Sequence, residues 1–186
     1  VRADALPPER GAQAVVSGSC SVATHAQALH FKQSGRPSLA IDPLAIAAGE
    51  DVAAQALAWA EPLLASGPVL FYATAEPSAV RAVQEKLGVA RAGEMVEHTL
   101  SRIAAGLVQR GVRQLLVAGG ETSGAVVQAL GVQRMAIGPQ IDPGVPWTSV
   151  DTPLCPGEQV HVALKSGNFG STDFFTKAFA QLSSMP

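Results

Sequence analysis

One stretch constrains the fold more than any other: Gln114-Leu115-Leu116-Val117-Ala118 running straight into Gly119-Gly120-Glu121-Thr122-Ser123-Gly124. The apolar run is too short for an ordinary helix and reads as a buried strand. Ala125-Val126-Val127-Gln128-Ala129-Leu130 then reads as a short helix closed by Gly131, a residue that takes left-handed backbone at little cost. Thr122 or Ser123 is the expected N-cap, because either hydroxyl can accept from N–H groups of the first turn. A strand, a glycine turn and a helix start leave several N–H groups unpaired and pointing one way. That arrangement suits an anion, most often a phosphate. The same pattern also serves turns that are glycine-rich for steric reasons alone.

Strands alternate with helices along the rest of the chain. Ala14-Val15-Val16, Ser38 to Asp42, Val69 to Ala73, Arg134 to Ile137 and Gln159 to Lys165 read as strands. Helices are expected over Val22–Gln33, with Val22, Ala26, Leu29 and His30 inward, and over Glu50–Ala65, where Pro62 shortens the last turn. Further helices are expected over Pro77–Leu87, over Glu94–Arg110 and after Ser171 or Thr172, the last packing Phe174, Phe175, Ala178, Phe179 and Leu182 inward. Gly138 to Trp147 holds three prolines and two glycines and reads as irregular. The implied fold is α/β: a three-layer α/β/α sandwich, its mainly parallel sheet covered by helices on both faces.

Composition narrows the function. With 186 residues, 47% apolar and 15% charged, the chain is long enough for one well-packed domain. A net charge of −2 without a basic run argues against nucleic acid and anionic membrane as partners. No apolar run approaches a bilayer span, and no signal peptide opens the sequence. Cys20 and Cys155 are too few for a disulfide framework and lack metal-ligand spacing, so a cytoplasmic setting is expected. The chain begins at Val1 without Met, which suggests a piece of a longer protein. Residues 1–12 read as a linker remnant and 13–186 as the domain. Low charge with high apolar content predicts a surface covered by a missing domain or by a second copy, as in a homodimer.

Three strand-to-helix turns share one design: Ser17-Gly18-Ser19-Cys20-Ser21, Gly119 to Ser123, and Lys165-Ser166-Gly167-Asn168-Phe169-Gly170. In an open parallel sheet such turns lie along one edge, where ligands bind. Several helix starts and a lysine aimed at one point could hold a polyphosphate. On these grounds Ser17, Ser123, Lys165 and Ser166 are candidate ligand contacts. Gly120 and Gly167 are expected at positive φ, where a branched side chain would also block the backbone. Neither G-x-x-x-x-G-K-[ST] nor G-x-G-x-x-G after a strand is present, so a familiar P-loop or dinucleotide fold is not expected.

Gly119 to Gly124, Gly138-Pro139 to Pro143-Gly144-Val145-Pro146-Trp147, and Ala163 to Gly170 with Asp173-Phe174-Phe175 resemble the four-carbon acid sugar kinase family. Ser17 to Ser21 with Ala23-Thr24 and Gln27 extends the resemblance, which runs in order from about residue 14 to residue 182. What the chain resembles is the C-terminal, nucleotide-binding half of those kinases. The half that holds the sugar acid has no counterpart here. By resemblance, the whole enzyme moves the γ-phosphoryl group of ATP, with Mg²⁺, to a hydroxyl of a threonate, erythronate or 3-oxo-tetronate. Positions matching the family's nucleotide site are Ser19, Gly119, Gly120, Glu121, Thr122 and Gly167. The base that deprotonates the sugar hydroxyl is expected in the absent domain.

Other residues admit two readings each. Glu121 either orients a magnesium-bound water or only favours its helix dipole, and Lys165 either reaches phosphates or holds its head in solvent. His25, His30, His98 and His161 form no evident metal set. Cys20 reads as a small buried filler. Trp147 could flank an adenine or anchor its loop. Asp142 and Asp151 could cap loops or face a metal. A hydrolase nucleophile at Ser17-Gly18-Ser19 is the weaker rival, since G-x-S-x-G is not met. A non-catalytic nucleotide-sensing or docking module is the other.

Overall fold

The computed structural model describes Leu6, residues 10–73 and residues 77–185. The first half of the chain forms β1 (Ala12–Ser17), α1 (Val22–Gln33), β2 (Ser38–Ile41), α2 (Pro43–Ala47), α3 (Val52–Ala60), β3 (Val69–Ala73) and α4 (Pro77–Leu87). The second half forms α5 (Val89–Gln109), β4 (Val112–Ala118), α6 (Gly120–Ala129), β5 (Arg134–Asp142), β6 (Val145–Asp151), β7 (Gln159–Lys165) and α7 (Phe174–Ser183). The strands make one seven-stranded sheet in the order β2-β3-β1-β4-β7-β6-β5. The first five run parallel, while β6 is antiparallel to β7 and β5 to β6.

Alternation along the buried strands builds two cores. Ala14, Val16, Val69, Phe71, Leu115, Val117 and Val162 face one side, with residues of α3, α5 and α6. Val15, Leu70, Leu116, Ala118, Ala163 and Trp147 face the other, with α1 and α7. The three-layer expectation is therefore met. All of β4 is buried, as a strand at the centre of a doubly covered sheet must be. Leu6, inside the stretch read as linker, is buried in the second core.

Five local expectations are corrected. α1 turns Thr24, Gln27, Ala28 and Phe31 inward, while Val22 is 86% and Leu29 52% exposed. Polar residues win that face because the third turn offers them partners, described below. The helix read as Glu50–Ala65 stops at Ala60, since Pro62 cannot donate to it, and only a 3₁₀ turn at Leu64–Ser66 follows. α5 starts at Val89 instead of Glu94, with Gly88 at φ 84° before it. The helical Gly93 costs roughly 1 kcal/mol against alanine, and the longer helix buries Ala92. Gly138 to Trp147 is a hairpin, with Pro143-Gly144 as its turn. Register shifts between Ile137 and Asp142 take up Pro139, which lacks an N–H and lies in the outermost strand. α7 begins at Phe174 with Asp173 at its N-cap, not Ser171 or Thr172.

Candidate phosphate-binding site

β1, β4 and β7 lie side by side, and their ends are level: Ser17 is opposite Ala118, and Ala118 opposite Lys165. The backbone continues the pairing beyond the strands. Gly18 N donates to Ala118 O (2.9 Å), and Gly119 N donates to Lys165 O (2.8 Å). The three glycine turns therefore meet at one edge. From there α1 leaves along one face of the sheet and α6 along the other. Such a divergence between neighbouring strands marks the usual place for a ligand in an open α/β sheet.

The first and third turns are tied by a buried polar network. Ser21 caps α1 by accepting from Thr24 N (3.1 Å), and its hydroxyl donates to Gly167 O (2.5 Å). Thr24 Oγ1 donates to the same carbonyl (3.0 Å). Gln27 Nε2 donates to Phe169 O, Gly170 O and Ser171 O at 3.0–3.1 Å. Lys165 Nζ donates to Gly167 O (2.8 Å), Thr24 Oγ1 (3.0 Å) and Ser166 O (3.3 Å). Lys165 is 1% exposed. The head is not held in solvent, contrary to one of the two readings; its three bonds fix the third turn from beneath. Burial lowers its pKa from 10.5 to about 8.

The second turn is built differently from its sequence reading. α6 starts at Gly120, with Gly119 as an N-cap that offers no side-chain acceptor. Thr122 and Ser123 lie inside the first helical turn and cap nothing. Gly119 takes φ 118°, a conformation that side chains resist, and a Cβ there would lie 3.0 Å from Thr122 Oγ1 and 3.2 Å from Ser19 N. Gly18 is equally constrained, because a Cβ on it would overlap Thr122 Oγ1. Gly120 and Gly167 have no positive φ, contrary to expectation. Gly120 is exposed, and among the described residues a Cβ on it would meet nothing within 4 Å, which leaves open space at the helix start. A Cβ on Gly167 would stand 3.1 Å from Ser19 Oγ.

The structure thus brings together Ser17, Ser19, Gly119, Gly120, Glu121, Thr122, Lys165 and Gly167. Ser123 turns inward, its Oγ buried without a hydrogen-bond partner among the described residues, and Ser166 is exposed with its carbonyl serving Lys165. Two cavities flank the end of β1 and share Ala73. One, of about 640 Å³, is lined by Gly18, Glu121 and Glu97 together with an apolar wall that includes Val80, Val83 and Val96. The other, of about 590 Å³, is lined by Ser17, Ser19, His25, Lys32 and Tyr72.

Glu97, on α5, is absent from the sequence reading. A Cβ on Gly18 would lie 3.1 Å from its Oε1. Burial raises its pKa, the Thr122 hydroxyl beside it opposes that shift, and the charge of Glu121 adds to it. No hydrogen bond of normal geometry closes between the two side chains, and among the described residues Glu97 Oε2 and Thr122 Oγ1 are both buried without such a partner. One signal was available: Glu97 lies three residues before Leu100 and seven before Ala104, which puts a carboxylate on the buried stripe of the helix.

Trp147 is buried and its Nε1 donates to Ala178 O (3.0 Å), so it anchors its hairpin. Asp142 accepts from Ser171 N (2.9 Å) and Lys177 Nζ (2.5 Å), pinning α7, and Asp151 pairs with Arg134 at 3.5 Å. Cys20 is exposed, contrary to the buried-filler reading, and Cys155 is buried. Ser19 Oγ donates to Ser21 Oγ (3.2 Å), which lends no support to a hydrolase nucleophile. Among the described residues no helix is long and apolar enough to cross a membrane, and no group of three His, Cys, Asp or Glu could hold a metal by itself.

An α/β sheet whose level strand ends carry three glycine turns and an uncapped helix start is an arrangement that suits an anion. The chain belongs to the family described as the nucleotide-binding C-terminal domain, whose model matches residues 14–175. It is 56% identical over 181 residues to a 3-oxo-tetronate kinase of Burkholderia multivorans, covering 97% of this chain and 41% of that protein. It is 53% identical over 180 residues to a 3-oxo-tetronate kinase of Pseudomonas fluorescens, covering 97% and 40%. A solved Haemophilus influenzae structure, from a domain family without assigned function, matches at 39% identity with a TM-score of 0.82, covering 95% of this chain and 42% of that one. The chain therefore spans about two fifths of these relatives. The resemblance read from the motifs is borne out.

Proposed function

We propose that this domain binds ATP with its phosphates on the three turns, as the nucleotide half of a kinase that phosphorylates a four-carbon sugar acid of the 3-oxo-tetronate type. The observation that carries the reading is the meeting of the three turns at the ends of β1, β4 and β7. N–H groups of Gly120 to Thr122, at the uncapped start of α6, receive a phosphate, and the dipole of α6 favours its charge by about 0.3–1 kcal/mol or more. The 640 Å³ cavity with its apolar wall is sized for the base and ribose. Phosphoryl transfer asks for positioning and charge neutralisation more than for covalent chemistry, and backbone donors meet that demand.

The donor set also fits Mg²⁺. Glu97, Glu121 and Thr122 supply oxygen, the element Mg²⁺ prefers, and Glu97 Oε2 and Thr122 Oγ1 are buried without hydrogen-bond partners among the described residues. When bound, the ion supplies charge neutralisation at the phosphates. The chain's own groups hold and orient the nucleotide, and Lys165, Thr24 and Gln27 keep the third turn in place. The sugar acid and the base that activates its hydroxyl belong to the part of the kinase outside this chain. Calorimetry with ATP–Mg²⁺ and a coupled assay with four-carbon sugar acids test the reading together. Binding without transfer is expected. Robust transfer by the 186-residue chain would overturn the division of labour, and absence of ATP binding would overturn the reading itself.

A further inference from the structure

We infer that Glu97, acting with the Thr122 hydroxyl, is the group of this chain that positions the divalent cation accompanying the nucleotide. The inference rests on the nucleotide reading above and adds a residue that lies outside the sequence motifs. The first ground is location. Glu97 Oε1 abuts Gly18 of the first turn, and Thr122 Oγ1 abuts both Gly18 and Gly119, so the two side chains form the wall between the first and second turns.

The second ground is unspent bonding capacity. Thr122 is 1% exposed, yet its hydroxyl has no hydrogen-bond partner of normal geometry among the described residues, and Glu97 Oε2 is buried in the same condition. Buried polar atoms are nearly always paired in a finished site, so two such orphans beside Gly18, one of them on a residue that lines the 640 Å³ cavity, point to a ligand that completes them. The third ground is charge. Glu97 and Glu121 line the cavity beside the phosphate turns, and the ammonium of Lys165 is committed to Gly167 O, Ser166 O and Thr24 Oγ1. Two carboxylates facing a polyphosphate repel it unless a cation stands between them. Mg²⁺ takes one or two carboxylates and completes its shell with phosphate oxygens and water, which is what this wall offers.

Other ligand chemistry makes a different prediction. A carboxylate that accepted hydrogen bonds from ribose or adenine would support ADP equally with and without metal. The test is calorimetric titration of ADP, with Mg²⁺ and with chelator, on the parent chain and on Glu97→Gln, with thermal melts of both. The parent should bind ADP more tightly with Mg²⁺. Glu97→Gln should lose at least tenfold of that gain, while its metal-free ADP affinity stays the same or rises. A variant that keeps the gain overturns the inference and leaves the nucleotide reading intact, as does one that weakens ADP equally in both conditions. A parent chain that binds no ADP in either condition overturns both. A second measurement needs no variant: Mn²⁺, followed by the loss of its free spin-resonance signal, should bind the parent–ADP complex at least tenfold more tightly than ADP alone. Equal affinity overturns the inference.

Discussion

Burying Lys165 makes stability depend on pH in a defined direction. Unfolded, the lysine keeps its proton up to about pH 10.5, whereas folded it releases it near pH 8. Between those values the unfolded chain binds more protons, so stability rises with pH. The penalty is fully present below pH 8 and relieved by about pH 10.5. A shift from 10.5 to about 8 corresponds to about 3 kcal/mol at about 1.36 kcal/mol per pH unit. That is an upper figure, because the carbonyls of Gly167 and Ser166 accept from the ammonium and favour its charged form. The assay is urea unfolding at pH 7, 8, 9 and 10 on the parent and on Lys165→Met, which keeps the bulk and removes the titration. The difference between the two curves should shift in favour of the parent by about 1–3 kcal/mol from pH 7 to pH 10. Parallel curves would refute the claim that the lysine is held in a desolvated position.

Further outcomes follow from the same site. Gly119→Ala forces a side chain into φ 118° and against Thr122 Oγ1, and should cost roughly 1–3 kcal/mol in urea melts, with ATP affinity falling in calorimetry. Gln27→Ala leaves the carbonyls of Phe169, Gly170 and Ser171 without their donor, and should lower stability by about 2 kcal/mol and loosen ATP binding. Trp147→Phe removes the bond to Ala178 O and should cost about 1 kcal/mol while leaving ATP binding unchanged, which separates the hairpin anchor from the site.

Much of this is legible in the sequence, for physical reasons that differ by element. Val69–Ala73, Pro77–Leu87 and Gln159–Lys165 carry their own strand or helix signals, and the structure places them at those bounds. Gly138 to Trp147 hides its hairpin because prolines and glycines, which usually break strands, here occupy a bulged outermost strand and a turn. The buried face of α1 is misread because apolar spacing suggests Val22 and Leu29, whereas Thr24 and Gln27 are drawn in by carbonyls more than 140 residues away. The burial of Lys165 is missed, since nothing local in the sequence says that the third turn folds over its head. Glu97 is missed because it comes from a helix remote in sequence from every glycine turn, and only the packing of α5 against β1 and β4 brings it to them.

The central claim is that a phosphate sits in the open space before the start of α6. Gly120→Val tests it most directly, because a Cβ there touches nothing within 4 Å and the fold has no reason to change. Calorimetric titration of ATP–Mg²⁺ into that variant, with a thermal melt on the same sample, should show a parent-like melt and ATP binding weakened beyond detection. A variant that melts like the parent and binds ATP with the parent's affinity would contradict the account.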